Sequence, residues 1–407
     1  MKQLLLLCLS SLVVWAGNLP QLVDLALQNK LIESSKYTLD STKDKHDAIK
    51  NSYMPSLTIG ANQSFNQEET MTSPDKSATG YAKLSFTLYD GGKRGALIDA
   101  QEALTKNASY SLQSVQSDVT LKVVYQYYSY LSALASKESL EQKVEQLNAE
   151  RYRLERFLSV GSATGDEIQK IISSIEQSRV QLLQTEVLIN NILNTLEYLT
   201  GQRVVIESGS TLVLNESSEA VRYDILALEE MTHNAKSQAT IAKAPGLPTI
   251  AIEDTYSRFN NDYNNKAYDS GFDRQNTLML TAQWKIFDFG STSLAYESAH
   301  KDYLSKTSQL AYEKSRAKAS LKSAQNSYDI ALRKVEASQA RVRASDMTYD
   351  LVQKKFQNGI VNNVTYLDAL SDKFNAKSEL QMAINDVEYQ KAVILYEMGK
   401  EIKGSIQ

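Results

Sequence analysis

The residues able to do chemistry in this 407-residue chain are few and badly spaced for catalysis. His46, His233 and His300 are scattered over segments that read as helix, without ligand spacing, and are expected on solvated faces. Cys8, the only cysteine, sits in an N-terminal apolar run, so the rest of the chain has no thiolate, disulfide or cysteine ligand. Gly91-Gly92 lacks the flanking residues of a phosphate loop and reads as a strand-to-helix corner. Tyr125, Tyr127, Tyr128 and Tyr130 have the make-up of an aromatic ligand box. Tyrosines at a helix interface, rings buried and hydroxyls wet, are the commoner use of such a cluster. What remains is carboxylates near turns: Asp166 and Glu167 at one, Asp368 beyond another. Acids there either offset the positive end of a helix dipole or present negative charge to whatever passes. No enzyme, cofactor or metal site is expected.

The elements that position these residues come in two copies. Gly92, Gly161, Tyr198 and Gly201 recur as Gly290, Gly359, Tyr396 and Gly399, each 198 residues later. A fixed-period repeat sets architecture before local propensity does. Each copy reads strand, corner, very long polar helix, Gly turn, second helix. The corners carry Pro55, Asp90, Gly91 and Gly92 in the first copy, and Pro248, Asp288 and Gly290 in the second.

Residues 1–16 read as a secretory signal: Lys2, an apolar core, then Val14 and Ala16 at −3 and −1 of a cut. Its apolar run is short for a spanning helix, and Cys8 follows Leu6-Leu7 where an acylation motif needs small residues. A net charge of −4 gives no case for nucleic acid. Sixteen glycines and five prolines imply few, long elements. An exported chain with no transmembrane helix can still span a bilayer, as a closed barrel.

The first repeat, 17–201, is expected to hold a helix over about 19–53, with Leu22, Leu25, Ala26, Asn29 and Ile32 on one face. Strands follow within about 55–89, where Ala82, Leu84, Phe86 and Leu88 alternate against Tyr81, Lys83, Ser85 and Thr87. A polar stretch from Gln63 to Thr79 separates them. Helices over about 92–160 and 166–200 complete the repeat. A non-helical bridge spans 202–219. The second repeat, 220–407, places helices over about 220–244, 290–358 and 364–402 and strands within about 248–287. There Leu278, Leu280, Ala282, Trp284 and Ile286 face one way. The long helices carry coiled-coil seams and would run roughly 100 Å at ~1.5 Å per residue. Four strands cannot close a barrel, so several chains would have to pool theirs. The competing expectation, a periplasmic coiled-coil adaptor or scaffold, leaves the alternating hairpins unused.

The duplicated plan resembles the TolC-like outer-membrane efflux protein family. The likeness also rests on Tyr53-Met54-Pro55-Ser56-Leu57, on Phe86-Thr87-Leu88-Tyr89-Asp90-Gly91-Gly92, and on the turns Val160-Gly161 and Asn358-Gly359-Ile360. It covers essentially the whole chain after the signal. The resemblance implies a mainly α protein with a β-barrel part: a homotrimer closing one twelve-stranded outer-membrane barrel in lipid, continued by a periplasmic helical tunnel. It implies docking onto a periplasmic adaptor (membrane fusion) protein and an inner-membrane transporter of RND, ABC or MFS type, in efflux or type I secretion. The docking tips fall at Val160, Gly161 and Ser162 and at Asn358, Gly359 and Ile360. The periplasmic gate falls at Asp368, with Asp166 and Glu167 beside it. Thr365 stands where the family often has a first acid, Val361 where its best-known gate has an arginine, and Phe289 where the corner has a glycine. Drugs, metal ions and secreted proteins all remain open as cargo.

Overall fold

A computed structural model describes residues 15–161, 164–214 and 220–407, with side chains from Gly17 onward. Most of the signal segment and Ser162 therefore lie outside the described residues. The chain divides into two compact units, one of residues 1–35, 112–223 and 314–407, the other of 36–111 and 224–313.

The first unit is helical. β1 (Trp15–Gly17) pairs in parallel with β4 (Val204–Ile206); a cut after Ala16 would leave only Gly17 of β1. α1 (Leu19–Ala26) starts on Asn18, whose Oδ1 accepts from Gln21 N at 3.3 Å while Gln21 Oε1 accepts from Asn18 N at 3.1 Å. The single helix expected over 19–53 is two, α1 and α2 (Lys30–Ser52). The break falls at Asn29, which is a cap and not a face residue. Its Oδ1 accepts from Ile32 N at 2.9 Å and its Nδ2 donates to Leu199 O at 3.1 Å. α3 (Lys93–Ser159) and α6 (Ser291–Gln357) each run 67 residues, beginning in the second unit and ending in the first, as α2 does in reverse, and α4 (Gly165–Thr200) and α7 (Asn363–Glu397) return from them. α7 stops before the 402 expected, because Gly399 (φ 71) takes the left-handed angle that ends a helix.

One core of this unit joins Leu19, Leu22 and Val23 to Val123, Tyr127, Leu196 and Leu395. The bridge between repeats is strapped across it. Tyr127 Oη donates to Glu207 O at 2.9 Å and Tyr128 Oη to Ser210 O at 3.0 Å. Glu388 accepts from Leu212 N at 2.7 Å, and Lys391 Nζ donates to Leu212 O at 3.0 Å. The hydroxyls expected to be wet are thus spent on backbone carbonyls, and burial pushes the Tyr128 phenol up. Tyr125 is the exposed member, edge-on to Tyr389 at 5.2 Å.

The second unit is built on one antiparallel sheet. Its order is β2 (Ser56–Phe65), β3 (Lys76–Asp90), β5 (Thr249–Asp262), β6 (Arg274–Gln283), and α5 (Tyr223–Lys243) leads into it. The strands run deeper into the polar stretches than alternation alone indicates: β3 begins at Lys76 and β5 continues to Asp262. Partnering strands satisfy the backbone of residues whose side chains carry no apolar signal. β6 ends at Gln283, so Trp284 and Ile286 lie past the ladder.

Candidate functional site: barrel wall, corners and helix tips

Register gathers most of the large apolar residues of the four strands on one face, while Met279 and Phe259 fall on the other. Leu57, Leu84, Asp254 and Leu278 form one rung, Phe86, Ile252 and Leu280 the next, and Ile250 with Ala282 another. The opposite face is mainly polar: Lys83 Nζ lies 3.5 Å from Glu253 Oε1, Thr255 pairs with Lys83, Thr281 lies one rung from Glu253, and Met279 is the apolar partner of Glu253. A β-bulge between Thr87 and Tyr89 corrects one expectation. Leu88 is the extra, unpaired residue, and Tyr89, paired with Ile250, joins the face of Phe86. Apolar and polar faces on one sheet are the pattern of a barrel wall between lipid and water.

The corners repeat in detail. Asp90 Oδ2 accepts from Arg94 N at 2.8 Å. Asp288 Oδ2 accepts from Thr292 N at 3.0 Å and its Oδ1 from Gly290 N at 3.1 Å. Both acids cap a long helix. Hydrogen bonds from the Thr292 hydroxyl, then from the Thr292 and Gly290 amides, hold the Asp288 carboxyl below the usual range. Gly91 packs so closely that a Cβ there would lie 2.8 Å from Ala244 O. Pro55 and Pro248 immediately precede β2 and β5. Trp284, Ile286, Phe287 and Phe289 cluster exposed beside the second corner, as an interfacial aromatic belt does.

At the tips, Val160 and Gly161 close α3, and Thr164 with Glu167 begins α4: Glu167 Oε2 accepts from Thr164 N at 3.0 Å. Asp166 pairs with Lys170 at 3.0 Å. Both acids therefore have local partners in the first turn. The second tip is a Schellman turn. Ile360 N donates to Lys355 O at 2.9 Å and Gly359 N to Phe356 O at 3.0 Å, with Gly359 at φ 70. Val160 and Ile360 are exposed.

Asn362 caps α7, accepting from Thr365 N at 2.9 Å. One face of α7 buries Tyr366, Ala369, Leu370 and Phe374 against Leu147, Ile171 and Ile175. The other exposes Val364, Thr365, Asp368 and Asp372. Asp368 and Asp372 make no ion pair among the described residues. Asp372 is not among the acids expected from the sequence. It lies one turn beyond Asp368 on the same stripe, and helical i, i+4 spacing was the available signal.

The two helical hairpins meet at this level. Asn363, almost fully buried, donates from Nδ2 to Glu167 O at 3.1 Å. Phe356 stacks on Tyr366 at 4.7 Å, Arg153 lies over Phe356 at 4.9 Å, and Gln146 donates to the Tyr349 hydroxyl. Burial and a hydrogen bond with Tyr349 push the Tyr366 phenol up, so it stays a neutral donor or acceptor. Among the described residues no group of three or more His, Cys, Asp or Glu is placed to hold a metal. No described helix is long and apolar enough to cross a membrane.

A two-faced sheet and long helical hairpins, joined along one chain, are the parts of the class of outer-membrane channels whose barrel continues into a helical tunnel. Residues 22–202 and 215–395 each match the model for outer membrane efflux protein, and the chain belongs to that family. It is similar to the toluene efflux pump outer membrane protein TtgC of Pseudomonas putida, at 24% identity over 79% of this chain and 68% of that one. It is also similar to the outer membrane protein TolC of Vibrio cholerae, at 21% identity over 95% and 93%. The crystal structure of VceC from Vibrio cholerae superposes with a TM-score of 0.85 at 16% identity, covering 94% of this chain and 96% of that one. The protein is an outer-membrane efflux channel of the cell outer membrane, with its helical part in the periplasm.

Proposed function

We propose that this chain is one third of a passive exit duct from periplasm to exterior. A periplasmic adaptor and an inner-membrane transporter of RND, ABC or MFS type would open it by docking on its helical tips. The observation that carries this reading is the sheet. β2 and β6 are its edges, and each is 10 residues long, the length a tilted membrane-spanning strand needs (~9–11). Open edges are not tolerated in hydrocarbon. Three copies joined β6 to β2 would close a ring of twelve strands, with apolar residues on lipid and Lys83 and Glu253 on the lumen.

The exposed tips Val160-Gly161 and Asn358-Gly359-Ile360 suit close approach of an adaptor's helical tip. Threefold symmetry would ring one axis with Asp368 and Asp372. Like charges held in a narrow, wet throat attract cations and repel anions, and Asp166 and Glu167 extend that negative zone. With Thr365 and Val361 at the departing positions, closure rests on packing around Tyr366 and Leu370 more than on ion pairs. Light scattering of the detergent-purified protein tests the assembly. A trimer that conducts in planar bilayers is expected; a folded monomer would overturn the reading.

A further inference from the structure

One rung of the sheet runs against the character of the wall it belongs to. Ala61 pairs with Gly80, Gly80 with Arg258, and Arg258 with Arg274, so four neighbouring strands contribute two small residues and then two arginines on the apolar face. The rung below holds Ile59, Ala82, Tyr256 and Asn276, and the one below that Leu57, Leu84, Asp254 and Leu278. The arginines therefore sit just past the apolar band, on the hairpin side of the sheet, away from the corners that lead to the helices. That side is the outer leaflet when the helices are periplasmic.

Like charges directly opposite on neighbouring strands repel, and no acid among the described residues pairs with them. Arg258 and Arg274 are both exposed, and neither makes an ion pair or side-chain hydrogen bond among the described residues. Asp254 and Asp262, the acids on the same face of β5, are each four residues from Arg258, about 13 Å along the strand and out of reach. Asp262 pairs instead with Lys266 at 3.6 Å. Beside the pair, a Cβ built on Gly80 meets nothing within 4 Å, so the rung has an open floor. Two guanidinium forks side by side suit one phosphate, which can accept from both. Tyr256, one rung toward the apolar band, supplies the amphipathic ring found at a membrane interface.

We propose that Arg258 and Arg274 form a binding site for the phosphate of an outer-leaflet lipid headgroup, with the acyl chains running down the apolar face beside the exposed Leu278 and Leu280 of β6. The proposal rests on the barrel reading, so the test scores the two separately. Full-length protein is reconstituted in phosphatidylcholine nanodiscs doped with lipid A, and only assemblies shown to be trimeric by gel mobility are scored. A folded protein that forms no trimer defeats the barrel reading, and this proposal with it. Native mass spectrometry then reads retained lipid A against phosphatidylcholine. Wild type should enrich lipid A, and R258Q and R274Q should each lower that enrichment about fivefold. Lys83→Gln, on the opposite face, should leave it unchanged. R258K/R274K keeps both charges and guards against misfolding; it should retain more lipid A than either Gln variant. Unchanged enrichment in both Gln variants would overturn the site. Displacement of the lipid by millimolar inorganic phosphate would show a free-anion site and overturn the lipid assignment.

Discussion

Gly91 and Phe289 hold the same left-handed backbone, at φ 71 and φ 54, in corners 198 residues apart. A left-handed angle costs a side-chain-bearing residue roughly 1–2 kcal/mol that glycine avoids. Phe289 is nearly fully exposed and recovers part of that cost against Phe287, with ring centroids 4.6 Å apart. Phe289→Gly is expected to change stability by no more than about 1 kcal/mol, because relieved strain offsets lost contact and added chain entropy. Gly91→Ala, which drives a Cβ to 2.8 Å from Ala244 O, should cost more. Thermal melting of the two purified variants gives the comparison, and an equal loss in both would contradict it.

The Asp288 cap makes a pH-dependent contribution of known sign. Its carboxyl titrates below the usual range in the folded chain. A depressed folded pKa adds stability that is present above the unfolded value, ~3.9, and lost as pH falls through the folded one. Asp288→Asn should therefore melt earlier than wild type at pH 7, with the gap closing below about pH 4. A gap that widens in acid would refute the assignment.

Gly359→Trp tests the docking tip. The position opens to free space, but its φ of 70 makes any side chain strained, so the Schellman turn is distorted locally. Export should be lost while trimer assembly persists. Gly359→Asn, which tolerates the left-handed angle, should keep most export. Full export by the Trp variant would remove the docking role.

Asp368→Ala and Asp372→Ala test the negative stripe on α7. Each should weaken block of single-channel current by divalent and trivalent cations added from the periplasmic side, and the double variant should weaken it further. Equal block in wild type and both variants would make these ordinary surface acids.

Leu370→Ala probes closure by packing. Leu370 is fully buried in the tip core, so truncation should cost about 2–5 kcal/mol locally. It should also raise basal conductance in planar bilayers without abolishing the trimer. An unchanged conductance would shift closure to polar contacts such as that of Asn363 with Glu167.

The repeat, the helix–turn–helix plan and the apolar face of the strands were legible in residue order, because periods of 2, 3.6 and 198 are properties of a linear string. Glycine pairs announced the turns because an angle forbidden to other residues leaves a mark on composition. Phe289 carries no such mark, and its left-handed angle is imposed by the corner around it. Tertiary structure alone decided that Asn29 splits the first helix, since Leu199 O, which shares its cap, is 170 residues away. It alone moved Tyr89 onto the apolar face, since a bulge exists only relative to a partner strand. It also brought Arg258 beside Arg274. The sequence states which residues share a face of one strand; register between strands, fixed by hydrogen bonds across the sheet, states which of them meet.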